Sequence, residues 1–169
     1  MKPSCRVIHT DSPIGKLLIA ESDGTVIAVR FGLSGMKDLR ADRIFENYIL
    51  ESETSKVRER TKEELSEYFS GKRRTFTVPY RLEGTRFQKA VWEAVARIPY
   101  GEVQTYSEIG RAAGSPRGAR PAGQAVGANR LPLLVPCHRV VASGCKLGGF
   151  GGGLDKKKFL LDLERQHCG

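Results

Sequence analysis

The sequence predicts an α+β protein in two parts: a small N-terminal antiparallel β-meander with a helix, then a mainly helical domain of the winged helix-turn-helix type. Three observations lead there. Short apolar strand-like runs crowd the first third, and capping boxes with glycine stops punctuate the second half. The two halves also differ in charge: residues 1–84 carry 15 Lys/Arg against 13 Asp/Glu, whereas residues 85–169 carry 13 against 6. With 169 residues and 40% hydrophobic content, the chain can build a real core.

Cys5–Thr10, Lys16–Ala20 and Thr25–Phe31 read as strands, separated by turn signals at Asp11-Ser12-Pro13 and Ser22-Asp23-Gly24. A short helix is expected around Lys37–Leu50. Ser55–Ser70 is a stronger helix, with Val57, Leu65, Tyr68 and Phe69 near one face and Gly71 as its stop. Thr75–Val78 fits a further strand before Pro79. Domains are expected at 1–80 and 85–169, with the polar stretch Arg81–Gly84 as the linker.

Thr85-x-x-Gln88 is a capping box, followed by Phe87, Val91, Val95 and Ile98 at helical spacing. Pro99-Tyr100-Gly101 ends that helix. Thr105-x-x-Glu108 is a second box, opening a short helix that stops at Gly114. Ser115-Pro116 reads as an N-cap with proline at the first helical position, so a third helix is expected from Pro116 to Gly127. The pair makes a helix-turn-helix. Gly144–Gly153 reads as a loop or wing, and Asp155–Arg165 as a closing helix with Phe159, Leu160 and Leu163 inward.

No apolar run approaches membrane-spanning length and no signal-peptide pattern opens the chain. A cytoplasmic protein is expected, nuclear if the source is eukaryotic, with no membrane partner. The four cysteines, Cys5, Cys137, Cys145 and Cys168, lack the paired spacing of a disulfide framework or zinc site. From Ile109 to Leu154 there is no carboxylate, while Arg111, Arg117, Arg120, Arg130, Arg139 and Lys146 all fall there. Such a stretch suits a phosphate backbone.

The third helix, Arg117-Gly118-Ala119-Arg120-Pro121-Ala122-Gly123-Gln124-Ala125-Val126-Gly127, is mostly small residues. Major-groove readers project several long polar side chains, whereas this surface suits close approach to the minor groove, about 6 Å wide. Arg120, the one long side chain near the middle, is a candidate for insertion into the base stack. Pro121 inside the pattern points to a helix that starts later than Pro116.

Val135-Pro136-Cys137-His138-Arg139-Val140-Val141 places a thiol beside an imidazole between two apolar stretches. Pro136 cannot donate to a ladder, so the chain should kink and present Cys137. A thiol attacks as thiolate, and His138 is the nearest group in sequence able to lower its pKa.

Ile98-Pro99-Tyr100-Gly101-Glu102-Val103, Thr105-Tyr106, Arg120, Asn129, Pro136-Cys137-His138-Arg139-Val140, Gly148–Leu154 and Leu160-Leu161-Asp162-Leu163-Glu164 together resemble the O6-alkylguanine-DNA alkyltransferases, over about residues 80–165. The N-terminal third matches that family's variable, ribonuclease H-like domain only in length and strand pattern. The resemblance implies DNA repair in which Cys137 accepts an alkyl group from O6 of a damaged guanine in double-stranded DNA. His138 would take the thiol proton through a water, and Glu164 would orient His138. Asn129 would brace the loop before Cys137, and Tyr106 would crowd the target nucleotide and assist departure of the base. Arg120 would fill the gap left by the extruded nucleotide. Arg117, Ala119 and Gln124 would meet DNA, and Val140, Phe150 and Gly151 would face the substrate. A stacked base hides O6 from a thiol, so the nucleotide must flip.

The thioether product offers water no carbonyl to attack, so the resemblance implies a single-turnover reagent. No metal or organic cofactor is expected. O4-alkylthymine is an expected second substrate and a monomer the expected state. Many relatives carry a tyrosine-serine pair where this chain has Phe150-Gly151, which removes a hydroxyl able to donate to O6. Two other classes compete. A transcription regulator is disfavoured by the sparse base-reading side chains of the third helix, and a Cys-His hydrolase by the adjacency of Cys137 and His138.

Overall fold

The computed structural model describes residues 1–32, 42–51 and 53–169, without the Cys145 side chain. The chain divides into two compact units, Met1–Arg81 and Leu82–Gly169.

In the first unit β1 (Ser4–Thr10), β2 (Leu17–Ser22) and β3 (Thr25–Phe31) form the antiparallel meander, with Val7 opposite Ala20 and Ile19 opposite Val29. β2 is central and buried along its whole length, which explains its unbroken Leu17-Leu18-Ile19-Ala20 run. The second strand therefore lies slightly later than Lys16–Ala20. Around Lys37–Leu50 a helix was expected. Residues 37–41 lie outside the described residues, and the rest forms a 3-10 turn (Arg43–Phe45) and strand β4 (Ile49–Glu51). Asp42 caps the turn by accepting from Ile44 N at 3.0 Å, and β4 pairs parallel with β1 at the sheet edge.

Helix α1 (Lys56–Phe69) starts at Ser55, whose Oγ accepts from Arg58 N at 3.2 Å. It buries Arg58, Thr61, Glu64, Leu65 and Tyr68, and Arg58 donates to the Val7 carbonyl on β1. Thr75–Val78 is not a strand. Its backbone bonds go to a side chain instead: Glu64 Oε2 accepts from Thr77 N at 2.8 Å and Val78 N at 3.4 Å. Just beyond this stretch the chain bridges to β3 at Tyr80, where Val26 N donates to Pro79 O (2.9 Å) and Arg81 N to Val26 O (3.0 Å).

In the second unit both capping boxes form. Thr85 opens α2 (Arg86–Ala96) and Thr105 opens α3 (Tyr106–Ala112), each with the reciprocal bonds to Gln88 and Glu108. Trp92, the only tryptophan, donates from Nε1 to Ala125 O at 2.7 Å and so ties α2 to the next helix. That helix, α4, runs Ala119–Gly127 rather than from Pro116. Its N-cap is Gly118 at φ +61°, a conformation Ser115 could not supply. Pro121 then falls in the first turn, where helical N–H groups have no partner to lose.

α3 and α4 meet closely. A Cβ built on Gly110 would lie 2.4 Å from Gly118 O, so only glycine fits. Two short strands, β5 (Gln104–Thr105) and β6 (Val140–Val141), pair in parallel with Thr105 opposite Val141. They bring the start of α3 beside the Cys137 turn. Helix α5 (Leu154–His167) closes the chain with Leu160, Leu161 and Leu163 buried; Phe159, expected inward, is 38% exposed. It lies nearly across the helix from Leu161, just outside the Leu163 edge of the buried stripe. No helix among the described residues is long and apolar enough to cross a membrane.

Candidate active site

Leu131–Val135 are all buried, and this apolar plug leads into a 3-10 turn of Cys137-His138-Arg139. Pro136 precedes the turn at φ −77°, ψ 65°, so the kink is where proline puts it. The loop is tied by Asn129, whose Nδ2 donates to Val135 O (3.0 Å) and whose Oδ1 accepts from Leu131 N (2.9 Å). Cys137 is 7% exposed. Burial pushes its thiol pKa up, opposed by the Asn129 amide and the Lys157 charge. Backbone hydrogen bonds at Cys137 and His138 oppose the rise as well.

His138 is fully buried, and its Nε2 lies 2.7 Å from Glu164 Oε1 on α5. Burial lowers the imidazole pKa and the carboxylate partner opposes that. Two further residues hold Glu164. Arg139 donates from Nε to Oε2 (2.9 Å) and from Nη2 to Oε1 (2.9 Å), and Gly101 N donates to Oε2 (3.1 Å). Burial works against the carboxylate, but the bonds from His138 and Arg139 outweigh it and hold the carboxyl at about 2. Arg139 also donates to Ile98 O (2.7 Å) and lies 5.6 Å from the Tyr100 ring centroid. The Ile98-Pro99-Tyr100-Gly101 turn thus supports the acid from below.

On the other flank, Tyr106 opens α3 and donates to Gly149 O at 3.3 Å. Burial raises its phenol pKa, so it is a protonated donor at neutral pH. Lys157, which the sequence reading passed over, is fully buried here. Its Nζ donates to Val140 O (2.6 Å) and Gly149 O (3.1 Å) and lies 5.8 Å from the Tyr106 ring centroid. Burial pulls its ammonium down to about 8. The signal was present but masked by the run Lys156-Lys157-Lys158: position 157 shares a helical face with Leu160, Leu161 and Glu164.

The structure therefore gathers Cys137, His138, Glu164, Asn129, Tyr106 and Val140 into one assembly. Ala119, Arg120 and Gln124 are exposed on α4, with Arg117 just ahead of it, while Ala122, Ala125 and Val126 face inward. Phe150 is half-buried, and nothing lies within 4 Å of a Cβ built on Gly151. The basic stretch is smaller than its sequence count. Arg139 is buried against Glu164, and Arg130 Nη1 lies 3.6 Å from Glu83. Arg111, Arg117, Arg120 and Lys146 remain exposed.

A helix-turn-helix unit beside a buried cysteine, with a histidine clamped by a glutamate, is the arrangement of a DNA-binding protein that carries a guarded thiol. Comparison with known proteins fixes the family. The 6-O-methylguanine DNA methyltransferase, DNA binding domain, matches residues 86–166, and the ribonuclease-like domain of the same family matches residues 6–82. The constitutive methylated-DNA–protein-cysteine methyltransferase of Bacillus subtilis strain 168 is 40% identical over 156 residues, covering 92% of each chain. The enzyme of that name from Methanosarcina acetivorans is 41% identical, covering 91% of this chain and 94% of its own. A solved structure of Mycobacterium tuberculosis OGT in complex with DNA superposes with a TM-score of 0.80 at 34% identity, covering 97% of this chain and 94% of its own. The chain belongs to the 6-O-methylguanine DNA methyltransferase family.

Proposed function

We propose that this chain repairs DNA by direct reversal, moving the alkyl group of O6-alkylguanine irreversibly onto Cys137. The observation that carries the reading is the Cys137 thiol on a buried turn beside His138, whose Nε2 is already committed to Glu164 at 2.7 Å. Nδ1 is then the nitrogen that receives the thiol proton, through a water. The sulfur attacks the alkyl carbon and the carbon–O6 bond breaks. Its electron pair leaves with the guanine, which takes up a proton and departs as a neutral base, with Tyr106 assisting. Glu164, anionic under the pull of Arg139, stabilises the imidazolium as it forms.

Double-stranded DNA is the partner. The small-residue face of α4 favours the minor groove, with Arg117, Ala119 and Gln124 against the duplex and Arg120 filling the gap behind the flipped nucleotide. Val140, Phe150 and Gly151 border the base. O4-alkylthymine is a second substrate on the same chemistry, and the protein acts as a monomer. The thioether is inert to water, so each chain reacts once. Incubation with excess duplex carrying labelled O6-methylguanine tests this: label should saturate at one group per protein. Continued release of free methyl product would contradict it.

A further inference from the structure

We propose that Lys157 is the positioning residue that fastens the glycine-rich wall of the alkyl pocket to the strand following the acceptor cysteine. The proposal rests on the reading of residues 148–153 as that wall. Within the segment the backbone closes one turn, Gly153 N donating to Phe150 O at 3.0 Å. Gly149, Gly151 and Gly153 carry no side chain to pack, and nothing lies within 4 Å of where one would begin.

What ties that turn to the rest of the unit is a shared carbonyl. Gly149 O accepts from both Lys157 Nζ (3.1 Å) and Tyr106 Oη (3.3 Å). The same ammonium donates to Val140 O (2.6 Å), three residues after Cys137. Gly148, at φ +69°, lies so close to Tyr106 that a Cβ there would fall 2.8 Å from the ring. One cation thus joins the Cys137 turn, the loop and the start of α3.

Lysine burial is costly unless its donors are used. The neighbours show the contrast: Lys158 is exposed and lies 3.9 Å from Asp162, whereas Lys157 is fully buried. Lys157 and Glu164 are seven residues apart on α5, about two turns along one face. A single rigid helix therefore sets both the acid behind His138 and the pocket wall.

The test has two arms. In the wild-type protein, nitrogen-15 NMR should show slowly exchanging Lys157 ammonium protons with couplings across hydrogen bonds to the Val140 and Gly149 carbonyl carbons. Rapid exchange without couplings would overturn the proposal, and this arm stands whether or not a variant folds. In Lys157→Met, which keeps an apolar stem and loses the donors, amide exchange at Gly148–Phe150 should quicken about tenfold. The half-saturation concentration for free O6-benzylguanine should rise about tenfold, and the limiting rate should fall as well because the Lys157 charge no longer favours the Cys137 thiolate. Unchanged exchange, or a fall in the limiting rate alone, would overturn the fastening role. Faster exchange with an unmoved half-saturation concentration would instead overturn the pocket assignment beneath it.

Discussion

Arg139 and Glu164 form a buried pair in which the guanidinium reaches both carboxylate oxygens, Nε to Oε2 and Nη2 to Oε1, each at 2.9 Å. This leaves Glu164 an anion in a site where burial alone would protonate it. His138 therefore faces a fixed negative partner.

The pair has a consequence for acid stability. The Glu164 carboxyl is depressed from an ordinary 4.5 to about 2, so its stabilisation is complete above pH 4.5 and is lost as pH falls through about 2. The shift corresponds to roughly 3 kcal/mol. Denaturant unfolding of wild type and Glu164→Gln should differ most at neutral pH and converge towards pH 2. A gap independent of pH would place the effect elsewhere.

Arg120 is exposed on α4 and outside the Cys137 assembly, so it should serve the flipped state rather than the chemistry. Arg120→Ala should slow repair of duplex DNA by about tenfold or more, since unstacking costs a few kcal/mol, while leaving reaction with free O6-alkylguanine base nearly unchanged. Equal losses on both substrates would refute this.

Gly110→Ala forces a methyl within 2.4 Å of the Gly118 carbonyl oxygen. The overpacking should cost about 1–3 kcal/mol and displace the turn before α4. Thermal unfolding should show the loss, and duplex binding should weaken beyond what the unfolded fraction explains. Full stability and full binding would mean the two helices pack less tightly than described.

Gly151 has open space around it and no left-handed backbone requirement, so serine fits there. Negative charge grows on O6 as the alkyl group leaves, and an added hydroxyl there should stabilise it. Gly151→Ser should raise the second-order alkylation rate few-fold to about tenfold, as about 1 kcal/mol of added hydrogen bonding allows. A large drop would contradict the missing-donor account.

Local signals were legible in the sequence and remote ones were not. Thr85-x-x-Gln88 and Thr105-x-x-Glu108 formed as read, because a capping box is decided within four residues. The start of α4 departs from the sequence pattern because Ser115-Pro116 has the right chemistry, while the backbone turns at Gly118. Thr75–Val78 departs from its strand pattern because Glu64, more than ten residues away, takes backbone donors a strand would use. Cys137, His138 and Glu164 emerged from ordered motifs, but Arg139 read as a surface cation and Lys157 vanished among lysines. Burial of a charge depends on partners such as Ile98 O and Gly149 O, which no linear pattern announces.

The central claim is that Cys137 alone accepts the alkyl group. Wild-type protein and Cys137→Ser should be incubated with duplex DNA carrying labelled O6-methylguanine, then digested and mapped by mass spectrometry. The account predicts S-methylcysteine at Cys137 in wild type, and no transfer with retained duplex binding in the variant. Label at Cys5, Cys145 or Cys168 in wild type, or transfer surviving in Cys137→Ser, would contradict it.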